Sequence, residues 1–323
     1  MKVAIDTTPL RLTRAGTARY LRNLLARLPD PSNNLLLGFG GAGKASVLAR
    51  ELAWYPLALS AHAEADVLHC PTYYGPLWPR RPLVVTVHDL AVLRFAGSFP
   101  RWTRMYVPRV IPHVLRAATL VIAVSEFTRR ELVELLGVPE WKIRVVPNGV
   151  DEVFTAEGAV AEGDYVLAVG TLEPRKNLPR LAAAARRAGV ELRVVGARGW
   201  GDVSLDGVRW LGELPDVEVA CLYRGAAAVA YPSLYEGFGM PVLEAMACGA
   251  PVVTTAGGAT EEVAGGAAVL VDARDPAAIA AGLEDAMRRR DELRARGLER
   301  AGAFSWDATA RRTVEVYEEA AGG

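Results

Sequence analysis

Two doubly wound α/β domains, each built on a parallel sheet, are the fold class that the chain predicts, and three observations carry the prediction. Short apolar, β-rich runs alternate with helical stretches along the whole length. The alternation breaks once, around PNGVDEVFTAEGAVAEGD, and then restarts. Runs such as VVTV and AVAY are apolar at nearly every position, as strands covered by helices on both faces must be.

The elements follow in order. KVAID is the first strand and ARYLRNLLARL the first amphipathic helix. NLLLGF, DVLHC, PLVVTVHD, LVIAVS and IRVVPN continue the sheet, with EFTRRELVELLG as a helix between the last two. After a join near residues 150 to 163, YVLAVG, ELRVVG, VRWLG, AAAVAYPS, PVVTT and AAVLVD build a second sheet. From Pro276 the chain is rich in Ala, Arg and Glu and reads as helix. FSWDATARRTVEVYEEA is a last amphipathic helix anchored by Trp306 and Tyr317. A cleft between two such sheets suits a large, two-ended ligand.

Composition narrows the class. A chain of 323 residues, 51% hydrophobic and 23% charged, fits two globular domains and excludes a disordered protein. MKVAIDTTPL carries Asp6 and no long apolar run, so it reads as a strand and not a signal peptide. No apolar run is long enough for a spanning helix. Cys70, Cys221 and Cys248 are dispersed, which suggests neither a disulfide framework nor zinc, and the expected compartment is the cytoplasm. Through Val150 there are nineteen Lys and Arg against ten Asp and Glu, and after it eighteen against twenty-seven. That asymmetry fits a contact with something anionic, or two halves that attract one another.

The stretch YPSLYEGFGMPVLEAMACGAPVV, Tyr231 to Val253, is a glycine-broken loop at a strand's carboxyl end, where open α/β sheets bind ligands. Pro241 suits the first position of a helix, yet Gly239 and Met240 offer no side-chain oxygen to cap its amides. Water or an anionic ligand must satisfy them. Glu236 falls in the loop and Glu244 in the first turn of the helix, placed to accept hydrogen bonds from hydroxyls at two points of one ligand. In TLEPRKNLPRL, Arg175 and Lys176 precede a helix capped by Asn177, an arrangement that suits a diphosphate. His88 and Asp89 end the strand PLVVTVHD, again at a carboxyl edge. Gly16, between the first strand and the first helix, allows a ligand close to the backbone. GFGGAG, Gly38 to Gly43, matches the dinucleotide fingerprint but follows the second strand, where that fingerprint does not belong.

Taken together, these residues resemble a known family. Tyr231 to Val253 with its Glu236 and Glu244 pair, GTLEPRKN at Gly170 to Asn177, VHDL at Val87 to Leu90, AGTARY near the start and VVPNGVD at Val145 to Asp151 are similar to the retaining glycosyltransferases of family 4. The resemblance implies the GT-B fold, two Rossmann-like domains facing across a cleft: an acceptor domain over 1–155, a nucleotide-sugar domain over 156–303, and a helix over 304–323 that returns to the first domain. By the same resemblance Glu244 holds the ribose hydroxyls and Glu236 the ring hydroxyls of the transferred sugar. The amides of Phe238, Gly239 and Met240 meet the sugar or diphosphate, and Arg175 and Lys176 neutralise the departing diphosphate. His88 lies beside the anomeric centre and Gly16 approaches the phosphates. Two positions depart from the pattern: Thr171 stands where many members carry Arg, and Ala18 where others carry Gly.

No D-x-D pair or metal-ligand cluster is evident, so no metal and no cofactor is expected. The family's chemistry implies retention by front-face attack, with Glu236 as a covalent nucleophile the minority route. GDP-mannose is the favoured donor over a UDP-hexose, and a glycan or lipid-linked molecule the acceptor. No nucleic-acid partner is expected. A nucleotide-sugar epimerase of the same fold and a non-enzymatic nucleotide-sugar binder are the alternatives. RFAGSFPRWTRMYVPRV, with Arg94, Arg101, Arg104 and Arg109 among aromatics, suits peripheral contact at the inner membrane face or half-buried packing interrupted by Pro108 and Pro112.

Overall fold

The computed structural model describes every residue except 13–15, 42, 63, 200 and 202, with the backbone alone described at 31 and 62. Contacts divide the chain into two compact units. One comprises Met1–Arg94, Pro100–Gly149 and Trp306–Gly323, the other Phe95–Phe99 and Val150–Ser305. The short piece Phe95–Phe99 thus groups with the second unit, an assignment no single cut of the sequence produces.

In the first unit six parallel strands, Val3–Asp6 (β1), Asn34–Leu37 (β2), Val67–Cys70 (β3), Leu83–Val87 (β4), Leu120–Ala123 (β5) and Ile143–Val145 (β6), lie in the order β2-β1-β3-β4-β5-β6. Every residue of β1, β3, β4 and β5 is buried, which is why these segments read as mainly apolar runs. Ser125 caps the helix Glu126–Leu136 by accepting from the Thr128 amide at 3.0 Å, and Gly137 ends it at φ 61°. The last helix, Trp306–Gly322, packs on the helix Gly16–Arg27 and on β3, β4 and β5. Trp306 and Tyr317 are buried in that contact, as the amphipathic pattern requires.

The second unit carries Tyr165–Val169 (β7), Glu191–Val195 (β8), Arg209–Trp210 (β9), Ala228–Tyr231 (β10), Val252–Thr255 (β11) and Val269–Val271 (β12), all parallel and ordered β12-β11-β10-β7-β8-β9. The chain winds outward from β7 through β8 to β9, then jumps back beside β7 and winds the other way. That reversal leaves a crevice at the carboxyl ends of β7 and β10, the place where doubly wound sheets bind ligands. Ala-rich helices Leu178–Ala188 and Pro276–Arg288 cover one face, their small side chains letting them sit close over Val166, Ala168 and Ala230.

Several local expectations are corrected. A short helix, Thr8–Leu12, intervenes between β1 and the helix that begins at Gly16. Ala15 of the AGTARY motif lies outside the described residues. Pro108 and Pro112 do not interrupt their segment: Arg101–Ala117 is one helix, and its buried Val107, Ile111, Val114 and Leu115 supply enough packing to carry two missing donors. In GFGGAG, whose Ala42 lies outside the described residues, the glycines serve packing. A Cβ at Gly38 would stand 2.6 Å from Thr7 Oγ1, and at Gly41 2.4 Å from Ser46 Oγ.

Candidate active site

The pairing of Val229 with Leu167 sets β10 level with β7, so the loops after Val169 and Tyr231 rise side by side. Gly170 leaves β7 at φ 150°, and Gly196 packs so tightly behind it that a Cβ there would fall 2.0 Å from the Gly170 carbonyl oxygen. Thr171 and Leu172 follow, then the single turn Pro174–Lys176. The Leu234 amide donates to the Arg175 carbonyl at 2.8 Å and so ties the two loops together.

Asn177 stands at the start of the helix Leu178–Ala188, but its side chain does not cap it. Held at φ 62°, it donates instead to the Pro232 carbonyl at 3.0 Å and the Ala273 carbonyl at 2.6 Å. Asparagine is among the few residues that enter this left-handed region readily. The expected cap is therefore a cross-brace between β7, β10 and β12.

On this brace sits a buried ionic cluster. Glu236 accepts from Lys176 Nζ on one oxygen at 2.6 Å and from Arg175 on the other at 2.8 Å. Arg175 also binds Glu173 through Nε at 2.8 Å and the Tyr235 carbonyl at 3.2 Å. The four charged side chains are between 5% and 15% exposed, so solvent screens their attraction little. Burial alone would raise the Glu236 pKa, but Lys176 and Arg175 outweigh it and hold the carboxyl at about 2. Burial lowers the Lys176 pKa against the pull of Glu236. The Lys176 ammonium contacts the Tyr231 hydroxyl and lies 4.7 Å from that ring's centroid. Lys176, Gly170, Ala230 and Tyr231 line a narrow crevice at the reversal point of the sheet.

The helix Met240–Ala247 begins beside this cluster in sequence, four residues after Glu236. Gly239 precedes it at φ 110°, where a Cβ would approach Thr260 Cγ2 to 2.9 Å, and no side chain caps the helix. Phe238 is buried edge-on against Phe304, with ring centroids 6.0 Å apart. Glu244 is not in the first turn, because the helix starts at Met240 and Glu244 falls in the second. It is buried, and Tyr223 Oη donates to it at 3.1 Å. A dipole-balancing role at the helix start is thereby replaced by a buried acceptor.

In the first unit, His88 follows β4. Its Nε2 lies 3.0 Å from the Pro71 carbonyl, which can only accept, so Nε2 carries the proton and Nδ1 the lone pair. Burial lowers its pKa against the attraction of Asp89, which keeps the ring neutral at pH 7. Asp89 itself accepts from the Ala91 amide at 2.9 Å. Gly16 opens its helix exposed, with nothing within 4 Å of a Cβ built there. Pattern reading missed Glu173, Tyr223 and Tyr231 as site residues. Glu173 had a signal, two positions before Arg175, whereas Tyr223 and Glu244 lie on different helices and meet only in the folded chain.

Two doubly wound parallel-sheet units in this order, with Arg175 and Lys176 at the reversal point of the second, define the GT-B class of protein. The fold matches sucrose-phosphate synthase of Thermosynechococcus elongatus at a TM-score of 0.75 and 20% identity, covering 99% of this chain and 98% of that one. It matches HepE of Anabaena, solved with UDP-glucose, at 0.75 and 19%, covering 99% and 100%. The family model described as Glycosyltransferase Family 4 matches residues 36–154, and that described as Glycosyl transferases group 1 matches residues 150–302. O-antigen chain mannosyltransferase B of Escherichia coli is 30% identical over 98% of this chain and 100% of its own length. A D-inositol 3-phosphate glycosyltransferase of Geodermatophilus obscurus is 31% identical over 88% of this chain and 74% of its own. The chain belongs to the family 4 glycosyltransferases.

Proposed function

We propose that this glycosyltransferase moves a hexose from a nucleotide sugar to a glycan or lipid-linked acceptor with retention of anomeric configuration, and that GDP-mannose is the donor in preference to a UDP-hexose. The observation that carries the reading is the Arg175, Lys176 and Glu236 cluster at the carboxyl ends of β7 and β10. Two cations there can take the charge of a diphosphate as it leaves, the work a divalent ion performs elsewhere. When the phosphates engage Arg175 and Lys176, Glu236 is released toward the sugar's hydroxyls. The uncapped amides at Phe238, Gly239 and Met240 receive donor oxygens, Thr171 lines the phosphate side, and Glu244 takes the ribose hydroxyls. His88 offers Nδ1 to the sugar, and Gly16 leaves room for the phosphates.

In the front-face course the bond from the anomeric carbon to the phosphate oxygen breaks as the acceptor oxygen bonds to that carbon. The acceptor's proton passes to the leaving phosphate oxygen. Attack by Glu236 itself, with a covalent glycosyl-enzyme intermediate, is the alternative course. The mannosyltransferase relative over nearly the full length supports the choice of donor. The test is a thermal-shift series with GDP-mannose, GDP-glucose and UDP-glucose, followed by assay of nucleoside diphosphate release. Stabilisation of about 3 kcal/mol is expected at a hundredfold excess over Kd. No shift with any of the three overturns the reading.

A lipid surface is a second element of the proposal. No helix among the described residues is long and apolar enough to cross a membrane. The helix Arg101–Ala117 nevertheless exposes Arg101, Trp102, Arg104, Met105 and Arg109 together, an interfacial composition. Binding to phosphatidylglycerol vesicles that exceeds binding to phosphatidylcholine vesicles is expected, and equal sedimentation with both removes the idea.

A further inference from the structure

The face of the first sheet under the last helix carries a polar stripe that apolar packing does not explain. His69 on β3 and Thr86 on β4 are fully buried there. His69 Nδ1 lies 2.6 Å from Tyr317 Oη and its Nε2 2.9 Å from Thr86 Oγ1, which in turn lies 3.2 Å from Tyr20 Oη. On the last helix Thr313 is buried, and its Oγ1 donates to the Thr309 carbonyl at 2.7 Å. Each partner is a hydroxyl or a ring nitrogen that can pair with its neighbour in either tautomer of His69. Every link is satisfied, and such aligned chains reinforce one another in a buried setting.

The chain ends against the reaction residues. Tyr20's ring meets the His88 ring edge-on, centroids 4.8 Å apart at 76°, and lies 6.2 Å from Trp306. His88 is thus held at Nε2 by the Pro71 carbonyl and along its ring by Tyr20, which leaves Nδ1 aimed by two fixed contacts. We infer that Tyr20 is a positioning residue for His88, its ring locked by the hydrogen-bond chain that runs from Tyr317 of the last helix through His69 and Thr86. The inference rests on the role given to His88 above. Misplacement of a reacting group by about 1 Å costs on the order of 10²-fold in rate.

The test uses the full chain with uniformly 15N-labelled histidine, of which there are four, together with GDP-mannose turnover read as GDP release. Tyr20→Phe keeps the ring beside His88 and loses only the hydroxyl. Thr86→Val keeps strand shape and removes the anchor. Tyr20→Leu removes the ring. The expected kcat losses are about 3-fold, about 10-fold and about 100-fold, with KM for GDP-mannose within about 2-fold of the parent. In the same order, the His88 Nδ1 and Nε2 signals should depart from the sharp Nε2–H pattern toward exchange-broadened averages. If Tyr20→Leu does not fold, Thr86→Val and Tyr20→Phe carry the test. Parent-like His88 signals and kcat in every variant that folds overturn the inference. Because the histidine signals need no donor, a parent protein that releases no GDP would count against the proposed donor and not against the Tyr20 contact.

Discussion

Lys176 Nζ stands 2.6 Å from Glu236 Oε1 in a setting that leaves each side chain about a tenth exposed. A pair so buried stabilises through mutual compensation, and losing one member is expected to be expensive while replacing its charge alone is milder. Glu236→Gln keeps the shape of the carboxylate but frees both cations. Tighter GDP binding by about 10-fold is expected, because no competing anion remains, together with a kcat loss of about 100-fold. Calorimetric titration with GDP and a turnover assay check the two directions, and weaker GDP binding would contradict the exchange of Glu236 for phosphate.

Removing the cations tests the same idea from the other side. Arg175→Met with Lys176→Met should weaken GDP binding by about 100-fold or more. The stability loss from stranding Glu236 and Glu173 is about 3–5 kcal/mol. Adding Glu236→Gln should restore part of the stability but none of the affinity. Urea denaturation and calorimetry separate the two.

Gly239 offers a backbone test. At φ 110° an alanine is strained by about 1–3 kcal/mol, and its Cβ would press on Thr260. Gly257, at φ 83° with nothing within 4 Å, carries similar strain without that collision and serves as the control. Gly239→Ala should weaken GDP binding by about 10-fold, because the amides at 239 and 240 move. Gly257→Ala should lower Tm and leave affinity unchanged.

The pH dependence of stability has two opposed contributors in the first unit. Burial, and then His88, push the His69 pKa down to about 3, so the unfolded chain binds a proton that the native state refuses. That contribution is complete above about pH 6.5 and is lost as pH falls toward 3. Burial raises the Asp6 carboxyl to about 6 against two hydrogen bonds from Thr8. The native state then binds the extra proton, and stability falls as pH rises from about 4 to 6, by about 3 kcal/mol at completion. Asp6→Asn should therefore steepen the rise in stability between pH 4 and 6.5. Urea midpoints across that range give the slope, and a slope unchanged from the parent would refute the raised pKa of Asp6.

How much of this was legible beforehand differs from residue to residue. The central strands β1, β3, β4, β5, β7 and β10 coincide with apolar runs of the sequence, because parallel strands covered on both faces leave few polar positions to blur the signal. The uncapped start of the helix at Met240 was equally visible, since Gly239, Met240 and Pro241 carry no side-chain oxygen wherever they lie. The Glu236 and Glu244 spacing, with Arg175 and Lys176, was enough to suggest the family.

The fates of those same side chains were not legible. Asn177 has the composition of a cap, and only its left-handed backbone, with two carbonyls in reach, turned it into a brace. Glu236 meets Lys176 across sixty positions of sequence, and Tyr317 meets His69 across 248. Local pattern records which side of an element is dry, a property of neighbours three or four residues apart. Which two buried polar groups satisfy one another is set by strand order and helix docking, and those are decided when distant segments pack.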